Sequence, residues 1–357
     1  METLGRKAPK YLGDHSFKKK LHQRIDVAFC HLGKRDVTAH YLKALVMFVW
    51  ALGSYISLYF VDEAWGLIVL CLVSGVGHTA LGFNVFHDAI HGSLSHHKSI
   101  NRFFAFLTCS LLGVSHYLWR FKHNYLHHQF TNVEAWDDDL ETRDALKLSP
   151  KQKSLARYRY QHFYAPLVYS LTSLEWVFLK DFIQYFTLKI NQYQKIPPLK
   201  LIDHFEFWIS KAIYFTFYVA LPLVFFGPVV FFIGLIIFHT SHSLAMASVF
   251  QLAHVMPDLE FPEVCPKTGT IDRDIQVSQL KTTVNFATKS AFMTWYSGGL
   301  NYQVEHHLFP RISHIHYPMI SKIVRETAEE FQLPYHEIPT FGQALSAHFK
   351  ALKKLGN

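Results

Sequence analysis

Charge is scarce in this sequence, and lysine and arginine are missing from two long stretches. Only 17% of the 357 residues are Asp, Glu, Lys or Arg, and none of the Lys or Arg lies between Lys43 and Lys98 or between Lys211 and Lys267. Cysteine is equally sparse. Cys30, Cys71, Cys109 and Cys265 are widely scattered, with no C-x-x-C pair. That excludes a disulfide framework and thiolate sites for zinc or iron–sulfur clusters, and the four read as free thiols on a reducing side or in a membrane. The first forty or so residues are polar, with Lys18-Lys19-Lys20 early on, and lack the apolar core of a cleaved signal peptide. There is no internal repeat and no low-complexity segment, which excludes a solenoid. No nucleic-acid partner is expected.

What the chain has instead is apolar mass: 50% hydrophobic residues, 16% aromatic, with 32 phenylalanines. It gathers into runs of the ~20 residues that a ~30 Å hydrocarbon layer requires. Each stretch free of Lys and Arg holds two such runs joined by a short link. The expected spans are 41–61 and 64–86, joined at Asp62-Glu63, then 205–226 and 229–250, joined at Gly227-Pro228. The net charge of +8 resides in the N-terminal tail (1–40), the middle and the C-terminal part, which the positive-inside rule assigns to the cytoplasm. The fold class expected is an all-α integral membrane protein: four transmembrane helices and a helical cytoplasmic cap built from 87–204 and 251–357, one domain over 41–357. The apolar run 100–121 is basic at both ends (Lys98, Arg102, Arg120, Lys122). A crossing there would separate two histidine clusters, so an interfacial or shallow re-entrant helix is expected. A C-terminal amphipathic helix is expected over about Tyr317 to Phe331.

Three histidine clusters organise this frame: His87-Asp88-Ala89-Ile90-His91, His123-Asn124-Tyr125-Leu126-His127-His128 and Gln303-Val304-Glu305-His306-His307. On a helix, positions i and i+4 share a face, so His87 with His91, and His123 with His127, each offer two imidazoles in one direction. His128 would point about 100° round and reach a second ion. Span two continued to His91 is about 42 Å long, longer than the hydrocarbon, so its last turns should emerge on the cytoplasmic side. All three clusters then lie at one membrane face, and seven histidines suit two metals. Imidazole binds Fe, Cu, Zn and Ni alike, but hydrolytic zinc sites usually include a carboxylate. A redox pair acting on an apolar substrate is the better reading. His15, His22, His31, His40, His162, His336 and His348 read as ordinary core or surface histidines. His78, His116, His239 and His242, in or near apolar segments, read as hydrogen-bonded interior histidines. A histidine-rich metal transporter would instead need ionisable groups near the bilayer midplane.

H-x-x-x-H, H-x-x-x-H-H and Q-x-x-H-H, in this order across four spans, resemble the three histidine boxes of the membrane fatty acid desaturases. The likeness covers roughly 65–335 and includes Arg120-Phe121-Lys122-His123-Asn124, Phe130-Thr131-Asn132 and Gly298-Gly299-Leu300-Asn301-Tyr302-Gln303. The glutamine opening the third box resembles the front-end branch, which inserts a double bond between an existing one and the carboxyl end. The resemblance implies two non-haem iron ions, O2 and two electrons per turnover. It implies His87, His91, His123, His127, His128, His306 and His307 as ligands, with His254, at the end of the fourth span, as an eighth. Gln303 would be a weak ligand, hold a water or support the ligands from behind, and Asp138 and Asn132 would support them too. Among Asp137, Asp138, Asp139 and Glu141, carboxylates could orient ligand rings or cap a helix. Lys147, Lys151, Lys153, Arg157 and Arg159 could hold the phosphates of coenzyme A or face anionic lipid. The product expected is a Δ6, or else Δ5, cis double bond in a fatty acyl-CoA or acyl-lipid, with hydroxylation or a sphingolipid substrate as alternatives. The residues binding the acyl chain are not readable. The N-terminus is too short for a fused cytochrome b5 domain and H-P-G-G is absent, so a separate ferredoxin, cytochrome b5 or flavoprotein is expected to deliver electrons.

Overall fold

A computed structural model of the protein describes residues 2–3 and 6–357, with side chains from Lys7 onward. It is predominantly helical, and three helical runs among the described residues are long and apolar enough to cross a membrane: Thr38–Phe60, Ala64–His91 and Leu201–His254. Large apolar side chains stand exposed along them, among them Val49, Trp65, Val224 and Val229. Patches of that kind are costly in water and natural against lipid.

Helix α1 (Ser16–Ala28) buries Phe17, Leu21 and Ile25. α2 (Thr38–Ser57) closes with a short turn to Phe60. α3 (Ala64–Leu81) passes through a π-helical turn (Gly82–Phe86) into α4 (His87–His91). Gly92, at φ +71°, ends that run. α5 (Lys98–Leu112) and α6 (His116–Arg120) fill the segment read as interfacial. At 15 residues α5 is too short to span. Between them Gly113 sits at φ +70°, where a Cβ would come within 2.7 Å of the Tyr214 ring, so only glycine fits the turn. α6 continues into a second π-helical turn, Phe121–His127. α7 (Gln161–Ser170) follows.

The third long run comprises α8 (Leu201–Tyr214), a π-helical turn and α9 (Leu221–His254). It is broken at Gly227, whose φ of 74° and ψ of 167° are non-helical, and Pro228 then removes a backbone donor. The C-terminal third carries the short α10 (Gln303–Leu308), α11 (Tyr317–Glu330) and α12 (Phe341–Gly356). α11 matches the expected amphipathic helix.

α3 packs between α2 and α9, α5 against α8, and α12 against α7 and α9. The N-terminal part is folded onto the C-terminal part. Lys10–Leu12 pairs in parallel with Thr270–Asp272, and α1 lays its apolar face on α11, where Leu21 and Ile25 meet Ile320, Val324 and Ala328.

Candidate metal centre

Eight histidines converge where α4, the π-helical turn after α6, the end of α9 and α10 meet. All are buried. Ring nitrogens of His87, His91, His123 and His306 lie within 4.8 Å of one another, as do those of His127, His254 and His307, and those of His128, His306 and His307. Two groups thus sit side by side, bridged by His128, and every histidine expected as a ligand is in one of them.

Local backbone geometry explains how the second box serves both groups. Residues 121–127 are π-helical, and the His128 amide donates to the His123 carbonyl five residues back, at 3.0 Å. This wider turn brings i and i+5 onto one face. His123 and His128 therefore approach to 3.2 Å between Nε2 atoms, and it is His127 that turns towards His254 and His307. The α-helical expectation, with His128 as the odd ring out, is corrected in this respect. The Trp119 ring stacks on His123 at 4.2 Å between centroids.

Four of the eight rings are tethered through Nδ1, leaving Nε2 to face inward. His127 Nδ1 donates to Asp137 at 3.0 Å, His307 Nδ1 to the Gln279 carbonyl oxygen at 2.8 Å, and His306 Nδ1 lies 3.2 Å from the Tyr317 hydroxyl. His254 Nδ1 faces the Thr282 carbonyl at 3.4 Å. Metal-binding histidines are held in this way, by an outer partner that fixes tautomer and orientation. Several inner nitrogens lack ordinary partners. His91 Nε2 and His306 Nε2 are buried with none, and His87 Nε2 faces His123 Nε2 at 3.1 Å, an arrangement in which two lone pairs compete for one proton. Unpaired buried polar atoms are costly, and a cation accepting those lone pairs removes the cost. Burial and mutual repulsion hold His123, His128, His306 and His307 well below the usual imidazole range, so their lone pairs are free. At His127 burial pulls the same way, but the Asp137 and Asp139 carboxylates outweigh it and raise its basicity. The donor set fits two cations.

Gln303 places its amide nitrogen 3.1 Å from His254 Nε2 and 3.2 Å from His307 Nε2. It stands beside the inner nitrogens, at the rim of the second group. Glu305, between the boxed residues, is buried against Asn285 and Tyr335, and burial pushes its carboxyl up to about 8. Burial thus favours its neutral form.

The supporting carboxylate is Asp137, which also accepts from the Asn132 and Asp139 amides. Asp138, singled out from the sequence, faces away: it binds Lys180 at 3.0 Å and Asn191 at 2.8 Å. One residue of register decides which side of the short turn Asp138–Leu140 each carboxylate occupies. Asn132 supports the site through backbone, donating to the His254 carbonyl at 3.1 Å. Of the basic run, Lys147 is buried against Ser154, Lys151 pairs with Glu263, and Arg157 binds the Asp144 carbonyl. These three are engaged within the fold.

Sequence reading missed several partners. Gln279 joins the second and third boxes, holding His307 and donating to the His128 carbonyl at 2.7 Å. Behind His87, Lys43 donates to His314 Nε2 at 2.9 Å, and His314 Nδ1 meets Asp88 at 2.8 Å, with His40 packed alongside. Lone polar residues of this kind carry no spacing signal.

Paired groups of buried imidazoles beside long apolar helices form a site that could hold metal ions at a membrane, and the family match places the chain among the oxidoreductases. The comparison with known families is specific: residues 63–339 match the fatty acid desaturase family, and the chain belongs to it. It is 34% identical over 354 residues to an sn-1 linoleoyl-lipid 6-desaturase of Synechocystis sp., covering 97% of each chain. It is 35% identical to the sn-1 linoleoyl-lipid 6-desaturase of Arthrospira platensis, over 95% of this chain and 92% of that one. An acyl-lipid (8-3)-desaturase of Physcomitrium patens is 35% identical over 85% of this chain and 65% of its own length.

Proposed function

We propose that this desaturase inserts a cis double bond on the carboxyl side of an existing one, Δ6 in the first instance and Δ5 in the second, in an acyl-lipid or acyl-CoA. The observation that carries the reading is the convergence of eight buried histidines, drawn from four separate segments, into two adjacent groups. The names of the relatives that match nearly the whole chain favour Δ6 and an acyl-lipid substrate.

In this reading His87, His91, His123 and His306 hold one iron, and His127, His254 and His307 the other, with His128 between them and Gln303 at the rim. A histidine-bound iron pair, given O2 and two electrons, supplies the oxidising power to remove two hydrogens from neighbouring methylenes. The chain's own residues set the conditions. Asp137, Gln279 and Tyr317 fix three rings so that their Nε2 atoms face inward. The buried setting excludes bulk water. Protein charge reaches the cations from carboxylates behind the rings, Asp88 beside His87 and Asp137 and Asp139 beside His127.

The run Leu201–His254, about 81 Å if straight, crosses twice with its turn at Gly227-Pro228, giving four spans. Both termini and the cap, 87–204 with 251–357, face the cytoplasm, where a separate donor such as a ferredoxin, cytochrome b5 or flavoprotein delivers electrons. The test is the fatty acid profile of a linoleate-fed host expressing the protein, with double bonds localised by mass spectrometry. A new Δ6 product that vanishes in His127→Ala, with the protein still inserted, is expected. Full activity of His127→Ala refutes the iron assignment, and an oxygenated lipid redirects it to hydroxylation.

A further inference from the structure

Two cavities meet at the histidine cluster. The larger, about 410 Å³, reaches His123 and has a charged lip that includes Lys122, Asp139, Glu141 and Glu175. The smaller, about 50 Å³, reaches His87 and runs into the membrane part between α3 and α9. Both are walled by Trp119, Trp176, Met246 and Phe250, the side chains that stand between them, and a path joining the two passes the site. A chain entering with its polar end at the charged lip lays its methyl-ward carbons in the inner chamber.

That chamber is aromatic, with Phe83 and Phe86 added to the shared walls, and one of its wall residues is a histidine. His242 is about nine-tenths buried. Its Nδ1 lies 2.8 Å from the Thr79 hydroxyl, and its ring stacks parallel to Phe238, 8° between planes. Plane and rotation are therefore fixed. Its Nε2 has no partner among the described residues, yet it is not one of the atoms sealed without one. It is accessible, on a residue that lines the chamber.

We propose that His242 reads the existing double bond of the acyl chain. This rests on the reading that the new bond forms on the carboxyl side of an old one, which puts the old one just past His87 in the inner chamber. A saturated chain there covers Nε2 with alkyl groups and leaves a polar atom unpaired, which is unfavourable. A cis double bond brings polarisable π electrons and more polar C–H groups, which make weak directional contacts with a ring nitrogen. The flat segment also fits between ring faces. The ring nitrogen lacks a full hydrogen bond against either chain, so the histidine favours the unsaturated one by the strength of those weak contacts, about two- to fivefold.

The test is a paired feeding of oleate and stearate to a host expressing the full chain, reading the ratio of their fractional conversions. The wild type is expected to favour oleate by about tenfold or more. His242→Leu and His242→Phe should lower that ratio by about two- to fivefold, with protein level and bound iron unchanged. Thr79→Val, which frees the ring to rotate, should lower it by a smaller factor. A ratio unchanged in both His242 variants overturns the proposal, as does equal loss of both conversions. A wild type with no preference for oleate overturns it and leaves the desaturase reading intact. A wild type giving only products that are not on the carboxyl side refutes the reading beneath it.

Discussion

Replacing Asp137 with asparagine keeps the shape of the side chain and removes its charge and one acceptor. Three donors converge on the two oxygens: His127 Nδ1 at 3.0 Å, the Asn132 amide at 2.9 Å and the Asp139 amide at 3.0 Å. Asparagine has a single oxygen. If that oxygen keeps His127 and Asp139, the new amide confronts the Asn132 N–H, and one buried donor is left unpaired at a cost of about 1–3 kcal/mol. The lost charge also removes the largest influence raising the basicity of the His127 ring. Outer carboxylates of metal-bound histidines are worth about 10–100-fold in metal affinity or activity, or about 1.4–2.7 kcal/mol, the same range by a separate route. The assay is iron retention by the purified protein against a competing chelator, with turnover measured alongside. Asp137→Asn should release iron at 10–100-fold lower chelator concentration. Asp138→Asn, which alters contacts to Lys180 and Asn191 instead, should hold iron as the wild type does. Equal retention in Asp137→Asn and wild type, or a greater loss in Asp138→Asn, would refute the reasoning.

Two further outcomes follow from the fold. Gly113→Ala forces a left-handed residue, at about 1–2 kcal/mol, and drives its Cβ into Tyr214. The midpoint for heat-induced loss of the folded protein in detergent should fall by several degrees, and an unchanged midpoint would show that the turn adapts. A reporter fused at Asn357 should face the cytoplasm and one inserted at Glu63 the opposite side. Any other pairing would overturn the four-span topology.

The histidines of the candidate metal centre were legible, and most residues that hold them in place were not. His87 and His91 could be found because a helix converts a four-residue spacing into a shared face, and because the stretches without Lys or Arg gave an expectation of which membrane face they reach. The same rule misplaced His127 and His128, since nothing in Phe121–His127 announces a π-helical turn. Asp137 was visible as one of three neighbouring aspartates, but choosing among them required the direction of a short turn. Gln279 and Tyr317 reach the site only through tertiary packing, and a lone polar residue has no period to betray it. The segment 100–121 was read as non-spanning from a constraint on the whole, that the first two boxes must share a side, and not from its own apolar composition; the structure gives it a helix of 15 residues, too short to cross.

The docking of α1 on α11, and of Lys10–Leu12 on Thr270–Asp272, has a consequence for how the molecule is made. About 180 residues separate the second box from the third, which is about 10–40 s of synthesis. Throughout that interval the first five box histidines wait beside the membrane without their partners, and the apolar face of α1 waits without α11. Neither metal group is complete until the ribosome has passed His307, and the cap closes only once α11 has emerged. On the proposed iron assignment, loading would be a late, post-insertion event, and a nascent chain stalled before the third box should leave behind an inserted but metal-incompetent protein.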